Sequence, residues 1–206
     1  MPSGKYRVNE VFYSVQGEGL RAGTANVFVR LSGCNMDCHE GHDEPNADFD
    51  CDTEFVSGRW MQRAEIVQGA RDLVGADPPA VIFTGGEPGL QLDAELVEAF
   101  KDCGAHTAIE TNGTVDVSGL GLDWITVSPK VAEHALRATR ASELKYVRHY
   151  GQAIPKPSIE ADHYLISPAF RGPTLDRRSV DWCQRLVLAN PRWRLSVQTH
   201  KWIGAR

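Results

Sequence analysis

The sequence has little that would suit it to a membrane or to nucleic acid. Across its 206 residues the uninterrupted apolar runs are short, Ala80 to Phe83 being typical, whereas a bilayer span needs about 20 residues. Met1 to Glu10 contains no apolar signal core, so no membrane association is expected and the cytoplasm is the expected compartment. An excess of Lys and Arg is also missing. With a formal net charge of -5, the chain lacks the cationic surface that neutralises phosphates, and no nucleic-acid partner is expected. Internal repeats and low-complexity tracts are absent. Cysteine is scarce and odd in number, with five residues of which Cys34, Cys38 and Cys51 crowd into the first quarter. That is a poor disulfide framework and a reasonable metal-ligand pattern for a reducing compartment. Cys103 and Cys183 lie apart in helical-looking stretches and read as small buried hydrophobes.

What is present suits one compact domain over 1–206, since 42% hydrophobic residues supply a sizeable core. Arg7 to Val15 and Asn26 to Leu31 read as strands and Ala64 to Val74 as an amphipathic helix. The alternation continues with strand Ala80 to Thr84, helix Asp93 to Cys103, and strands Thr107 to Glu110, Trp124 to Val127, Leu144 to Val147 and Tyr164 to Ile166. Helix Asp176 to Leu188 and strand Arg194 to Val197 complete it. The order is that of a parallel α/β fold. One acidic, apolar-poor stretch from about 39 to 50, containing Pro45, reads as an inserted exposed loop and leaves His39, His42, Asp43 and Glu44 without a further role.

Several strands run directly into short polar or glycine-bearing turns: Thr84-Gly85-Gly86-Glu87-Pro88, Glu110-Thr111-Asn112-Gly113, Ser128-Pro129-Lys130 and Ser167-Pro168. Ligands of α/β folds bind at the carboxyl ends of the strands, so these turns are expected to converge on one site. The cysteines join them, because Gly33-Cys34 follows an apolar strand, Cys38 stands four positions on, and Cys51 closes the group. Three thiolates can hold three irons of a four-iron cluster and leave the fourth open for a ligand. A structural zinc site, with His39 or His42 as fourth ligand, is equally compatible with the spacing alone.

The wider set of motifs resembles the 7-carboxy-7-deazaguanine synthases, radical S-adenosylmethionine enzymes of the deazapurine and queuosine precursor pathway. The resemblance runs nearly end to end. It is carried by Tyr13 to Gly19 (YSVQGEG), Val29 to Cys34 (VRLSGC), Cys51-Asp52-Thr53, Thr84 to Pro88 (TGGEP), Ile109 to Gly113 (IETNG), Val127 to Lys130 (VSPK), Glu143-Leu144-Lys145 and Ser196 to Lys201 (SVQTHK). One departure concerns the cysteines, whose second gap is twelve residues, 39–50, where the superfamily usually has two.

The resemblance implies an open, partial parallel β/α barrel of the radical S-adenosylmethionine type and a carbon-nitrogen lyase. The reaction it implies is conversion of 6-carboxy-5,6,7,8-tetrahydropterin to 7-carboxy-7-deazaguanine by hydrogen abstraction, ring contraction and loss of ammonia. Cys34, Cys38 and Cys51 would hold a four-iron four-sulfur cluster. Asp50, Asp52, Gly85, Gly86, Glu87, Ser128, Lys130, Ser167, Pro168, Ala169 and Phe170 would contact S-adenosylmethionine, with Glu87 accepting from its ammonium. Val15, Gln16, Gly17, Glu18, Arg30, Thr84, Gln198, His200 and the terminal Arg206 would contact the pterin. Arg30 is the candidate for its carboxylate because a guanidinium fork matches that geometry. Thr53 would help hold a magnesium ion, a reductant such as flavodoxin or ferredoxin would supply electrons, and the protein would be a homodimer. Two alternatives remain beside this reading: a glycyl-radical activase, which shares the cluster and the GGEP-like turn, and a zinc-stabilised binding module.

Overall fold

The computed structural model describes residues 4–36, 54–171 and 174–205. The candidates Cys38, Asp50, Cys51, Asp52, Thr53 and Arg206, and the loop from 39 to 50, lie outside the described residues. The chain enters through β1 (Lys5–Val15) and β2 (Ala25–Leu31), followed by β3 (Arg59–Gln62), α1 (Arg63–Val74), β4 (Ala80–Gly85), α2 (Ala94–Lys101), β5 (His106–Thr111) and β6 (Trp124–Val127). It continues through β7 (Arg140–Arg148), β8 (Glu160–Pro168), β9 (Phe170–Arg171), β10 (Thr174–Leu175), α3 (Arg177–Ala189), β11 (Trp193–Leu195) and α4 (Thr199–Ile203).

Nine strands form one sheet in the order β11-β8-β7-β6-β5-β4-β2-β1-β3. It is parallel from β11 to β2. β11 and β3 remain as its edges, so the barrel is open. The expected all-parallel order needs correction at one side, where β1 runs antiparallel to β2 and β3. The cause is the short link 16–24, because a parallel pair requires a crossover of a dozen or more residues. β3 itself, reading Arg-Trp-Met-Gln with only Met61 buried, carries too little alternation to be read from sequence. The α/β alternation is also incomplete, with 3₁₀ turns at Ser118–Leu120 and Glu133–Ala135 on either side of β6.

Local sequence fixes the helices. The Gln62 N–H donates to the Glu65 carboxylate at 2.6 Å to open α1, and Asp93 caps α2 by accepting from the Leu96 N–H at 2.9 Å. The same Asp93 oxygen accepts from the Tyr6 hydroxyl at 2.7 Å, tying α2 to β1. Asp176 caps α3 through the Arg178 N–H.

Strand alternation separates two faces. One presents Val27, Val29, Val81, Phe83 and Ile109 to Ile66, Leu96 and Phe100 of α1 and α2. Farther along the sheet the same face presents Val127, Leu144, Tyr146, Tyr164 and Ile166 to Cys183 of α3 and to Trp193. Cys183 is fully buried as expected, and burial pushes its thiol up to about 12. Cys103 is only half-buried and accepts from an Arg71 guanidinium N–H at 3.1 Å. The opposite, concave face is polar. In register across it stand Arg30 and Thr84, then Glu110, Thr126, Glu143 and His163.

Candidate active site

At the carboxyl ends of β2 and β4 two turns clasp each other. The Gly86 N–H donates to Leu31 O at 3.3 Å and the Glu87 N–H to Gly33 O at 2.9 Å. A side chain has no room here, since a Cβ on Gly85, whose φ is 135°, would stand 1.9 Å from Leu31 O, and one on Gly86 would stand 2.2 Å from Gly33 O and 2.8 Å from the Cys34 Cβ. The glycines let two backbones meet beside the first cysteine. Asn35 extends the clasp, its amide donating to Thr114 Oγ1 at 2.7 Å and its carbonyl accepting from Asn112 at 3.1 Å. The Cys34 sulfur accepts from the Met36 N–H at 3.4 Å. A thiolate at a strand end, with a backbone N–H aimed at its sulfur and open glycine backbone beside it, fits a cluster ligand.

Glu87 is tied to its own turn and to the next strand. It is fully buried, and its carboxylate accepts from the Gly89 N–H at 2.9 Å, the Thr111 hydroxyl at 2.7 Å and the Asn112 N–H at 2.7 Å. Burial pushes its pKa up and those three donors oppose the rise. Its side chain therefore fastens the β4 turn to the end of β5.

The remaining cofactor candidates follow along the sheet. Ser128 Oγ accepts from the Lys130 ammonium at 3.1 Å at the end of β6. Ser167, Pro168 and Ala169 are buried at the end of β8, and Phe170 packs its ring 4.6 Å from the Lys201 ammonium.

The substrate candidates meet on the concave face because the link between β1 and β2 folds inward. Thr199 donates to Gly17 O from both its N–H and its hydroxyl at 2.9 Å, and the Gly19 N–H donates to Ser196 Oγ at 3.0 Å. The link thus bridges the open barrel toward β11. Gln16, beyond Val15 at the end of β1, donates to Glu110 at 3.0 Å and accepts from the Glu18 N–H at 3.1 Å. Glu18 accepts from Gln198 at 2.5 Å and from the buried Lys145 ammonium. His200 sits against Gly17. Arg30 lies farther along this face with its Nε 2.8 Å from Glu10, both partly exposed.

Glu110, Thr126, Glu143 and Lys145 were given no role by sequence reasoning, yet they form the polar bed of this pocket. Lys145 stands 3.6 Å from Glu110 as well as touching Glu18. Glu143 accepts from the Thr126 hydroxyl and the Leu20 N–H, each at 2.9 Å. Burial pushes Glu110 up to about 7, Lys145 opposing and Glu18 and Glu143 reinforcing. Burial also works against the charge of Glu18, but Lys145 and Gln198 outweigh it and hold that carboxyl at about 2. Lys145 is held charged, its desolvation outweighed by Glu110 and Glu18. Charges within β5 and β7 are unusual, because central parallel strands are ordinarily apolar on both faces, but sequence alone does not say which carboxylate meets Lys145.

Known proteins match this arrangement closely. A family model described as a 4Fe-4S single cluster domain matches residues 15–125. The 7-carboxy-7-deazaguanine synthase of Nitratidesulfovibrio vulgaris is 41% identical over 97% of this chain and 98% of its own. That of Burkholderia multivorans is 38% identical with the same coverage, 97% and 98%. The crystal structure of QueE from Escherichia coli superimposes with a TM-score of 0.66 at 25% identity, covering 95% of each chain. These likenesses favour neither a glycyl-radical activase nor a zinc module. The chain belongs to the 7-carboxy-7-deazaguanine synthase family, radical S-adenosylmethionine lyases built on a four-iron four-sulfur cluster.

Proposed function

We propose that the protein converts 6-carboxy-5,6,7,8-tetrahydropterin to 7-carboxy-7-deazaguanine. The observation that carries this reading is the polar sheet face on which Glu18, Gln16, Gln198 and His200 gather, on the same sheet whose β2 and β4 end in the turns that carry Cys34 and Gly86. The cluster and S-adenosylmethionine, when bound, supply the one-electron chemistry that removes a substrate hydrogen. The protein's residues have the tasks of binding, orientation and exclusion of water.

Glu18 and Gln16 present acceptors to the donor-rich edge of the pterin, and Thr84 on β4 adds a further contact. Arg30 takes the substrate carboxylate through the guanidinium N–H groups its Glu10 pair does not use. Gly85 and Gly86 offer backbone to the amino-acid end of S-adenosylmethionine, Ser128 and Lys130 its ribose and carboxylate, and Ser167 to Phe170 its adenine side. Thr53 would help hold a magnesium ion, a task suited to a hard oxygen ligand. Cys38 and Cys51 would complete the cluster ligands, with Asp50 and Asp52 contacting S-adenosylmethionine. A flavodoxin- or ferredoxin-type reductant, a homodimeric assembly and a cytoplasmic setting belong to the same reading. Among the described residues no helix is long and apolar enough to cross a membrane.

The test is anaerobic incubation of the reconstituted protein with S-adenosylmethionine, reductant, magnesium and the carboxytetrahydropterin, followed by mass spectrometry. Formation of 7-carboxy-7-deazaguanine is expected. Formation of 5'-deoxyadenosine without that product would overturn the assignment of substrate.

A further inference from the structure

Lys145 is an unusual occupant of a parallel strand. It stands on β7 with its side chain 5% exposed, touching Glu18 and lying 3.6 Å from Glu110. One ammonium thus faces two carboxylates, with a third, Glu143, one inward-facing position earlier on the same strand. Glu143 is satisfied elsewhere, by Thr126 and the Leu20 N–H. Glu110 has Gln16. Glu18 is the carboxylate that Lys145 touches directly, and its two oxygens are treated differently: Oε2 faces Lys145 and Oε1 accepts from Gln198. An ionised carboxylate has about four acceptor directions, so one donor on each oxygen leaves one direction free on each.

We propose that Lys145 is a positioning residue of the substrate pocket: together with Gln198 it fixes Glu18 as an ionised acceptor with one open direction on each oxygen, matched to a two-donor N–H edge such as the guanidine-like edge of a reduced pterin. This rests on the substrate reading above and adds the residue that sets its selectivity. A bidentate acceptor discriminates against ring edges that present an acceptor in place of either donor, because a lone pair would then face a buried carboxylate. The groups that face Glu18 are Lys145 on β7, Glu110 on β5, Gln198 beyond β11 and His200 on α4. Lys145 is the ammonium among them, so without it Glu18 is left beside the Glu110 carboxylate and its proton affinity rises.

The experiment measures binding of the fluorescent analogue pterin-6-carboxylate to reconstituted holoenzyme between pH 5 and 9, for wild type, Lys145→Met, Lys145→Arg and the charge-balanced Lys145→Gln/Glu110→Gln pair. Loss of a charge-assisted contact predicts a Kd raised ~10- to 100-fold in Lys145→Met at neutral pH. It also predicts an acid limb displaced to higher pH and partial recovery in Lys145→Arg. If Lys145→Met does not fold, the charge-balanced pair replaces it, and weakened binding is expected there too. Wild-type affinity and an unshifted pH profile in Lys145→Met, or wild-type affinity in the pair, would overturn the role of Lys145 while leaving the substrate reading intact. Failure of the wild type to bind the analogue or to form product would overturn the substrate reading first.

Discussion

Gly17 lies directly beneath His200: a Cβ on Gly17 would stand 2.1 Å from the imidazole Nδ1. The same glycine's carbonyl accepts twice from Thr199, so the absent side chain sets the height of α4 above the pocket. Gly17→Ala should push His200 outward and, because small misplacements near reacting groups are costly, lower kcat/KM by ~100-fold. Steady-state kinetics beside a thermal melt check this. Unaltered kinetics would show that His200 is not held by this contact.

Gly86→Ala should act at the cluster. Its Cβ would meet both Gly33 O and the Cys34 Cβ, and overpacking of this kind costs about 1–3 kcal/mol. The strain falls on the loop that carries a cysteine ligand, so iron per chain and the visible absorbance of anaerobically reconstituted protein should drop. Full iron loading would separate the glycine turn from cluster assembly.

Glu87→Gln should be a stability variant first. Three donors converge on the carboxylate, and an amide that keeps its oxygen toward the Gly89 N–H and the Thr111 hydroxyl must turn its NH2 toward the Asn112 N–H. About 1–3 kcal/mol of lost stability is expected, as for a buried unsatisfied group. A lowered urea midpoint in the cofactor-free protein is the measurement. An unchanged midpoint would mean that the fastening of β4 to β5 does not depend on the negative charge.

Stability should respond to pH with opposite signs in two windows. Glu110 is raised from 4.5 to about 7, so between those values the folded chain binds the extra proton and stability falls as pH rises, by as much as about 3 kcal/mol. Glu18 is lowered from 4.5 to about 2, so between about 2 and 4.5 the unfolded chain binds more protons and stability rises with pH. Urea midpoints at pH 4.5, 6 and 8 should therefore decline for wild type and stay flatter for Glu110→Gln. A decline equally steep in that variant would place the titrating group elsewhere.

The helix-facing side of the sheet was legible in the sequence because Val81, Phe83, Leu96 and Phe100 repeat at strand and helix periods. The strand-end turns were legible because Gly85, Gly86, Gly113 and Pro129 punctuate them. β3 was not, since an edge strand with one buried residue has no period to read. Nor was the bed of the pocket. Glu143 and Lys145 alternate with Leu144 and Tyr146, a pattern shared by any strand with one wet face. Which Glu meets which Lys follows from the register of β5, β6 and β7, set by neighbours far along the chain. The burial of Glu87 was hidden for a related reason, because nothing local shows that Thr111 and Asn112 would enclose it.

The inward-folded link between β1 and β2 has a consequence for synthesis. Its bond to Thr199 joins residues 182 positions apart, and Glu18 reaches Gln198 across 180. A ribosome delivers the first partner long before the second. The sheet can therefore begin to grow along the chain, but the surface on which a ligand would rest comes into being only when these two distant segments meet, a late and entropically demanding closure. Trimming the chain just before Ser196 would leave the strands in place and remove the partners that hold the link between β1 and β2.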